Sequence, residues 1–483
     1  MSRIREIVET WAINIANSVA LIASWGKRVL HEGRYRNGVW SDWARRFHCR
    51  PRHYETPATE EELAAIVAAA GKVRVVGAGH SFNAAPLSDA TLISLDKLDA
   101  VEVRDHPDAD KPGWKVASIQ TGIRLRDLND VLRDQHGLSL SVAGSTDAQS
   151  IGGLIATDIH GTGRDHGFLS EAARSLRIVA ADGTIATFHP GDDVFHAAFG
   201  AMGTCGVVVG AEIDCEPAYQ LATAIRVVER RWAEDNIDQL LRENTHLSFY
   251  YFGGLAHDTG QDEEPGLAKV RMNKWNRTVE PPGTWLWTRK LIGELLDMGF
   301  SGFALGIARA LHLTYPTAKL GIELYSVAVN QNVVVYPSAM GFARKLYFRH
   351  DEIEYGVPYE SYKACLDEVR ALLLERKYPT VIEIRFTPNN SQALLAPGAG
   401  RRTAYIELAP SMSQPTDPIF REFEQILLKH GGQVHLGKKT WVTRQDLERM
   451  YPAELLRRFD AARRSQDPEG KFMNEFTRTI LGP

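Results

Sequence analysis

Apolar and polar positions alternate between a helical and an extended period up to about residue 218. Leu63, Ile66, Val67 and Ala70 recur at helical spacing. Thr59 and Glu62 ahead of them form a capping box that satisfies first-turn N–H groups. Gly71 ends this helix, and Val73–Val76 is a short apolar strand running into Gly77. Residues 91–95 and 114–120 are further strands, and Leu125, Leu128, Val131 and Leu132 mark an amphipathic helix closed by Gly137. Asp182-Gly183 between the runs 176–181 and 184–188 predicts a hairpin turn. Such alternation predicts mixed α/β layers. The stretch 219–365 is less regular, and 257–283, polar and rich in Gly and Pro, reads as a loop or excursion. Strands return at 380–386 and 404–408. A helix follows, with Asp417 as N-cap and Pro418 in first position, running to His430 before Gly431.

Two apolar segments stand apart. Residues 10–26 carry no charge, with Trp11, Ile15, Val19 and Ile22 on one helical face and Asn14, Asn17, Leu21 and Ser24 on the other. The segment is too short and polar to span a bilayer, and it lacks the basic start and cleavage site of a signal peptide. It reads either as a helix packed on its own protein or as one lying at a membrane or partner. Residues 284–313, with Trp285, Trp287 and the charge-free run 298–308, read as a hydrophobic helical pair, either core or membrane-facing.

Length and charge narrow the class. A chain of 483 residues has room for two or three domains. A net charge of −4 lacks the basic surplus of a nucleic-acid binder. Cys49, Cys205, Cys215 and Cys365 show no metal-ligand spacing and suit isolated thiols in a reducing compartment. The expected location is the cytoplasm, with peripheral membrane contact left open by the two apolar segments.

Chemistry concentrates in three small-residue clusters. The first, Gly77-Ala78-Gly79-His80-Ser81-Phe82-Asn83, follows a strand but is not a nicotinamide-type turn. Phe82 occupies the third glycine position, and Pro86 prevents a helix from continuing. The second contains Gly144-Ser145-Thr146 and Ser150-Ile151-Gly152-Gly153, and the third is 157–163, Thr-Asp-Ile-His-Gly-Thr-Gly. Together they offer bare amides and hydroxyls to an extended phosphate-bearing cofactor; ordinary tight turns are the bland alternative. Farther on, strand alternation in 381–386 puts Glu383 and Arg385 on one face and Ile382, Ile384 and Phe386 on the other. An acid and a base so placed on an apolar strand either line a polar site or pair structurally.

The order of these motifs carries a resemblance. VRVVGAGHSFN, SVAGSTDAQSIGGLIATDIHGTG and FGAMGTCGVVVGAEIDCEP resemble the FAD domain of the gulonolactone and alditol oxidases, within the vanillyl-alcohol-oxidase superfamily. EIEYGVP, VIEIRF, GGQVHLGKK and DPEGKFMNEF resemble that group's substrate domain and tail. The resemblance implies an α+β fold: a PCMH-type FAD-binding domain of two α/β subdomains, and a cap whose antiparallel sheet is flanked by helices. The expected division is a helical extension over 1–39, the FAD-binding domain over 40–218 and the cap over 219–483, with a tail at 465–483 returning to the FAD site.

The resemblance also implies roles. Gly77, Gly79, His80 and Ser81 would hold the pyrophosphate and the ring edge. Gly144, Ser145, Gly152, Gly153, His160, Gly161, Gly163, Gly206 and Val207 would complete the cradle. His80 matches a histidine that in many relatives is bonded covalently to the flavin 8α-methyl group. A second, cysteinyl link is not expected, because 145–148 are Ser, Thr, Asp and Ala. Glu383 and Arg385 would floor the active site, Glu383 positioning the substrate hydroxyl and fixing Arg385. Lys438 and His435 match a motif that more often reads HWGK; Leu436 replaces its aromatic and alters the pocket's shape. Lys438 would stabilise negative charge on the reduced flavin, and Thr162 would contact substrate or flavin.

The implied reaction is oxidation of an alcohol carbon of a sugar lactone or alditol by hydride transfer to flavin N5. Reoxidation would use oxygen, a quinone or a cytochrome. The alternatives are a membrane-associated flavoprotein acting on a larger or lipid-linked sugar, and a nicotinamide-dependent dehydrogenase.

Overall fold

The computed structural model describes residues 12, 15, 19, 32–165, 167–254, 269–311, 321, 324–344, 350–410 and 416–483. Helix Glu60–Ala69 buries Leu63 and Val67, and the Thr59 hydroxyl caps it by accepting the Glu62 N–H at 3.1 Å. Val73–Val76 and His53–Glu55 flank Thr91–Ser94 in a three-stranded parallel sheet. A second, antiparallel sheet runs Ile185–Phe188, Ala173–Val179, Val207–Pro217, Lys115–Gln120 and Val101–Asp105, with Leu138–Ser139 paired to the end of its central strand. Leu63, Val73, Ile93, Val179, Val209 and Phe472 form one small core that ties the two sheets to the C-terminal segment.

The largest sheet has eight antiparallel strands. Its order is Gln331–Pro337, Gln220–Glu229, Lys269–Thr278, His246–Gly253, Thr380–Thr387, Thr403–Leu408, Ile353–Pro358 and Gln433–Val434. Helices Tyr362–Glu375 and Asp417–Lys429 share a core with this sheet, in which Leu366, Val369, Phe420 and Phe423 join Ile382, Ile384 and Ile406. That core fixes the register of Thr380–Thr387, since a one-residue slip would bring Ile382 and Ile384 to the opposite face and bury Glu383 and Arg385 in their place. The fold is thus the expected α+β arrangement, with a polar sheet face left over for chemistry.

Several sequence expectations need correction. The irregular stretch 219–365 supplies five of the eight strands. Strand His246–Gly253 is buried on almost every residue, which erases the alternation by which a half-buried strand is recognised. Part of the expected excursion 257–283 is the ten-residue strand Lys269–Thr278, and its first part, 257–268, lies outside the described residues. The hydrophobic pair at 284–313 is helix Leu286–Met298 continued through a π-helical turn, Gly299–Ala304, into Leu305–Leu311.

The helix placed after Asp417 begins one residue earlier, at N-cap Thr416. The Thr416 hydroxyl donates to Asp351 and the Asp417 carboxylate pairs with Lys439, so neither caps the helix. Most of the 10–26 segment lies outside the described residues; Ile15 and Val19 are exposed. All four cysteines are buried and unpaired, and burial pushes the thiols of Cys205, Cys215 and Cys365 up to about 12.

Candidate active site

Sheet register assembles the site. Tyr250, Glu383, Glu407 and Glu354 are direct cross-strand neighbours on four successive strands. Three adjacent carboxylates repel one another, so the row stands only because cations bridge it. Arg385 donates to Glu354 at 2.6 Å and to Glu407, and lies 3.9 Å from Glu383. Lys438 binds Glu352 and lies 3.8 Å from Glu354 and 3.9 Å from Glu407. Glu354, rather than Glu383, is therefore what fixes Arg385, because it reaches the guanidinium more closely and from a fully buried position. Glu383 instead faces Arg344 at 3.7 Å.

The cluster's protonation follows from burial and neighbours. Burial alone would raise Glu354, but Arg385, His160 and Lys438 outweigh it and hold the carboxyl well below the usual range. Glu407 ends on the other side. Burial together with the charges of Glu352 and Glu354 exceeds the pull of Lys438 and Arg385, and its pKa lies well above the ordinary value. The row is relieved because Glu407 holds its proton more tightly than an ordinary carboxyl does. Burial depresses His435, with His160, Lys438 and Arg385 adding to the effect against Glu354, and its pKa falls to about 3. His435 is thus neutral and accepts the Gly437 N–H at 3.1 Å on Nδ1. His160 is also buried and depressed; it stacks on Tyr405 at 3.6 Å, with Nε2 3.4 Å from Glu354.

Two cavities meet here. The outer one lies against the polar sheet face under helix Leu286–Met298; the inner cleft is walled by 77–83, 145–157 and 435–438. Ser145, Glu352, Arg385 and Lys438 line both. The inner cleft continues past Gly77, Ser150 and Gly153 into a groove bordered by Gly152, Gly206 and Val207. Loop 77–83 is clipped to the Lys438 loop: Phe82 N–H donates to Gly437 O at 2.9 Å, and Asn83 donates to Leu436 O at 2.7 Å and Lys438 O at 2.9 Å. Gly437 packs closely at this junction, where a Cβ would meet Thr157 at 3.0 Å and His435 at 3.1 Å.

Most residues singled out in the sequence converge on these walls. Gly77, Gly79, His80, Ser81, Ser145, Gly153, His160, His435 and Lys438 line the inner cleft, and Gly152, Gly206 and Val207 its continuation. Glu383 and Arg385 line the outer cavity. Gly144, Gly161 and Gly163 lie outside these walls. So does Thr162, whose hydroxyl donates to Leu247 O and accepts Leu247 N–H at 3.2 Å, making it a strut to the large sheet. The sequence reading missed Glu352, Glu354, Glu407 and His350, whose Nε2 donates to the Glu352 carboxylate at 2.6 Å. A carboxylate inside the apolar run TAYIEL was the available signal for Glu407.

The cleft suits FAD in shape and chemistry. It is elongated, walled by backbone amides and small hydroxyls, and a Cβ at Gly153 would meet only Ser150 Oγ at 3.2 Å, leaving its groove side open.

Comparison with known proteins agrees. Residues 51–189 match the family described as FAD binding domain, and residues 211–480 match the family described as D-arabinono-1,4-lactone oxidase. The chain is 30% identical to an L-gulono-1,4-lactone dehydrogenase of Mycobacterium tuberculosis over 92% of its own length and 99% of that protein. It is 27% identical to L-gulonolactone oxidase of Bos taurus, again over 92% and 99%. Among solved structures, cholesterol oxidase from Brevibacterium sterolicum shares the fold at a TM-score of 0.67 and 14% identity, covering 93% of this chain and 98% of that one. The FAD match sets the nicotinamide alternative aside. The chain is an FAD-dependent oxidoreductase and belongs to the D-arabinono-1,4-lactone oxidase family.

Proposed function

We propose that the protein oxidises an alcohol carbon of an aldono-1,4-lactone where the two cavities meet. The observation that carries this reading is that Arg385, Lys438 and Glu352 belong to the walls of both the cofactor cleft and the outer cavity. The names of the relatives supply the substrate class. When bound, FAD supplies the hydride acceptor. Glu383, on the outer cavity, accepts a hydrogen bond from the reacting hydroxyl. Arg385 and Lys438 are held charged, because their carboxylate partners outweigh the cost of burial, and they stabilise negative charge developing at the junction. Neutral His435 supports the Lys438 loop from beneath.

His80 is the candidate point of flavin attachment. It is half-buried on the cleft wall, and its ring stacks on Trp43 at 5.0 Å, which fixes its orientation. The proposed division into a cofactor domain over 40–218 and a cap over 219–483 is supported by the break between the second and third sheets. The return of the tail is supported by Val73 N–H donating to Lys471 O at 3.0 Å and by Asn474 donating to Ala84, Ala85 and Leu87 carbonyls. The relatives include both an oxidase and a dehydrogenase, so oxygen, a quinone and a cytochrome are all candidate acceptors.

A panel of aldonolactones and alditols, assayed in parallel with oxygen and with a dye acceptor, tests the reading. Lactones should give the highest kcat/KM; preference for an alditol, or no turnover with any lactone, would overturn it.

A peripheral membrane contact is the second inference. Trp285, Trp287 and Ile292 are 79%, 53% and 52% exposed on one short stretch, and among the described residues no helix is long and apolar enough to cross a membrane. Exposed aromatic and aliphatic side chains on one short helical stretch suit an interfacial helix. Sedimentation with anionic vesicles should carry the protein down, and Trp287→Ser should weaken it; full recovery in the supernatant would refute the contact.

A further inference from the structure

Helix Leu286–Met298 is built inside out. Arg289, Gly293 and Asp297, spaced four apart, line the outer cavity together with Lys290 and Glu294, while Trp287 and Ile292 on the other side are exposed. A surface helix ordinarily turns its apolar stripe inward and its charges to solvent. Lys290, Glu294 and Asp297 are half-buried there, and Arg289 stays exposed at the mouth of the chamber, where an entering ligand would meet it.

The cations there are unequally engaged. Arg271 is committed to Asp297, Tyr325 and Asn273. Arg344 is only loosely held, 3.7 Å from Glu383 and 4.9 Å over the Tyr250 ring. Arg289 makes no ion pair with any described residue. Arg289 and Arg344 therefore bring positive charge to the outer cavity, Arg344 beside Glu383 and Arg289 on the helix that covers it. A neutral aldonolactone offers these cations hydrogen-bond acceptors but no countercharge.

We propose that this outer chamber binds an anionic substituent of the sugar, a phosphate ester or a carboxylate, through Arg289 and Arg344. The carbon to be oxidised then lies at the Glu383 and Arg385 end. The inference rests on the lactone-oxidation reading and specifies its substrate class. Arginine suits the role because its planar fork matches both anions.

Binding can be read without turnover, by calorimetric titration of the holoenzyme with inorganic phosphate. The parent protein should saturate, Arg289→Gln should bind about tenfold more weakly, and Arg289→Lys should recover part of the loss. No binding to the parent, or equal binding to parent and Arg289→Gln, overturns the proposal. Anaerobic flavin reduction then compares a neutral lactone with its phosphate ester and with a carboxylate-bearing counterpart. One of the two anionic sugars should show an apparent Kd about tenfold below the neutral one, and which of them does so names the anion. Equal Kd values for all three would again overturn the chamber's role. Failure of all three to reduce the flavin would overturn the oxidation reading itself, while the phosphate titration still judges the chamber.

Discussion

Glu354→Gln is the most informative perturbation of the buried cluster. The glutamine keeps the side chain's shape but removes a charge that accepts from Arg385 at 2.6 Å, lies 3.4 Å from His160 and lies 3.8 Å from Lys438. Breaking a buried ion pair commonly costs about 3–5 kcal/mol, because the remaining charge is left unpaired. Here the cost is smaller, on the order of 1–3 kcal/mol, since Glu407 also contacts Arg385 and can take over the pairing. Glu407 is held protonated partly by the charge of Glu354, so the substitution should let it ionise at lower pH.

The pH dependence has a definite sign. Glu354 has a depressed folded-state pKa. Its stabilisation is present above the ordinary carboxylate range and disappears as pH falls through the folded value. Glu407 has a raised one, so its contribution is present at low pH and is lost as pH rises through the folded value. Chemical denaturation across the pH range should show the Glu407 phase moving to lower pH in Glu354→Gln, and stopped-flow reduction should slow because Arg385 loses its anchor. A variant with parental stability profile and parental reduction rate would refute the role given to Glu354.

The other expectations are simpler. Thr162→Val should cost about 1–3 kcal/mol of stability through the lost Leu247 contacts. It should leave the rate of flavin reduction near the parent's, and a reduction defect without destabilisation would restore a catalytic role. Acid precipitation should leave yellow chromophore in the pellet of the parent protein, and His80→Ala should release it. Chromophore in the parental supernatant would exclude the covalent link while leaving FAD binding intact.

What could be read in the sequence was whatever local pattern encodes. Glu383 and Arg385 were visible because Ile382 and Ile384 alternate with them against a buried core. The glycine clusters were visible because an extended cofactor forbids bulk. Glu407 was not, although its strand could be seen, and neither was Glu354, whose strand falls in the stretch that reads as irregular; their meeting depends on the order in which Thr380–Thr387, Thr403–Leu408 and Ile353–Pro358 lie side by side. Chain separation gives no hint of that order. Thr162 misled for the opposite reason: its place in a glycine-rich motif suggested a ligand contact, whereas its hydroxyl is consumed by Leu247. The Asp417 cap failed similarly, because tertiary pairing with Lys439 took the carboxylate that a local rule assigns to the helix.

The central claim is that a sugar lactone is oxidised beside Arg385 at the mouth of the FAD cleft. Anaerobic stopped-flow mixing of the holoenzyme with L-gulono-1,4-lactone, for the parent and for Arg385→Ala, tests it most directly. The parent should bleach its flavin with saturable kinetics. Arg385→Ala should do so about 10²–10³ times more slowly, the usual consequence of removing one preorganised charge-stabilising donor, with its FAD content unchanged. Bleaching of Arg385→Ala at the parental rate, or a parent flavin that no lactone reduces, would contradict the account.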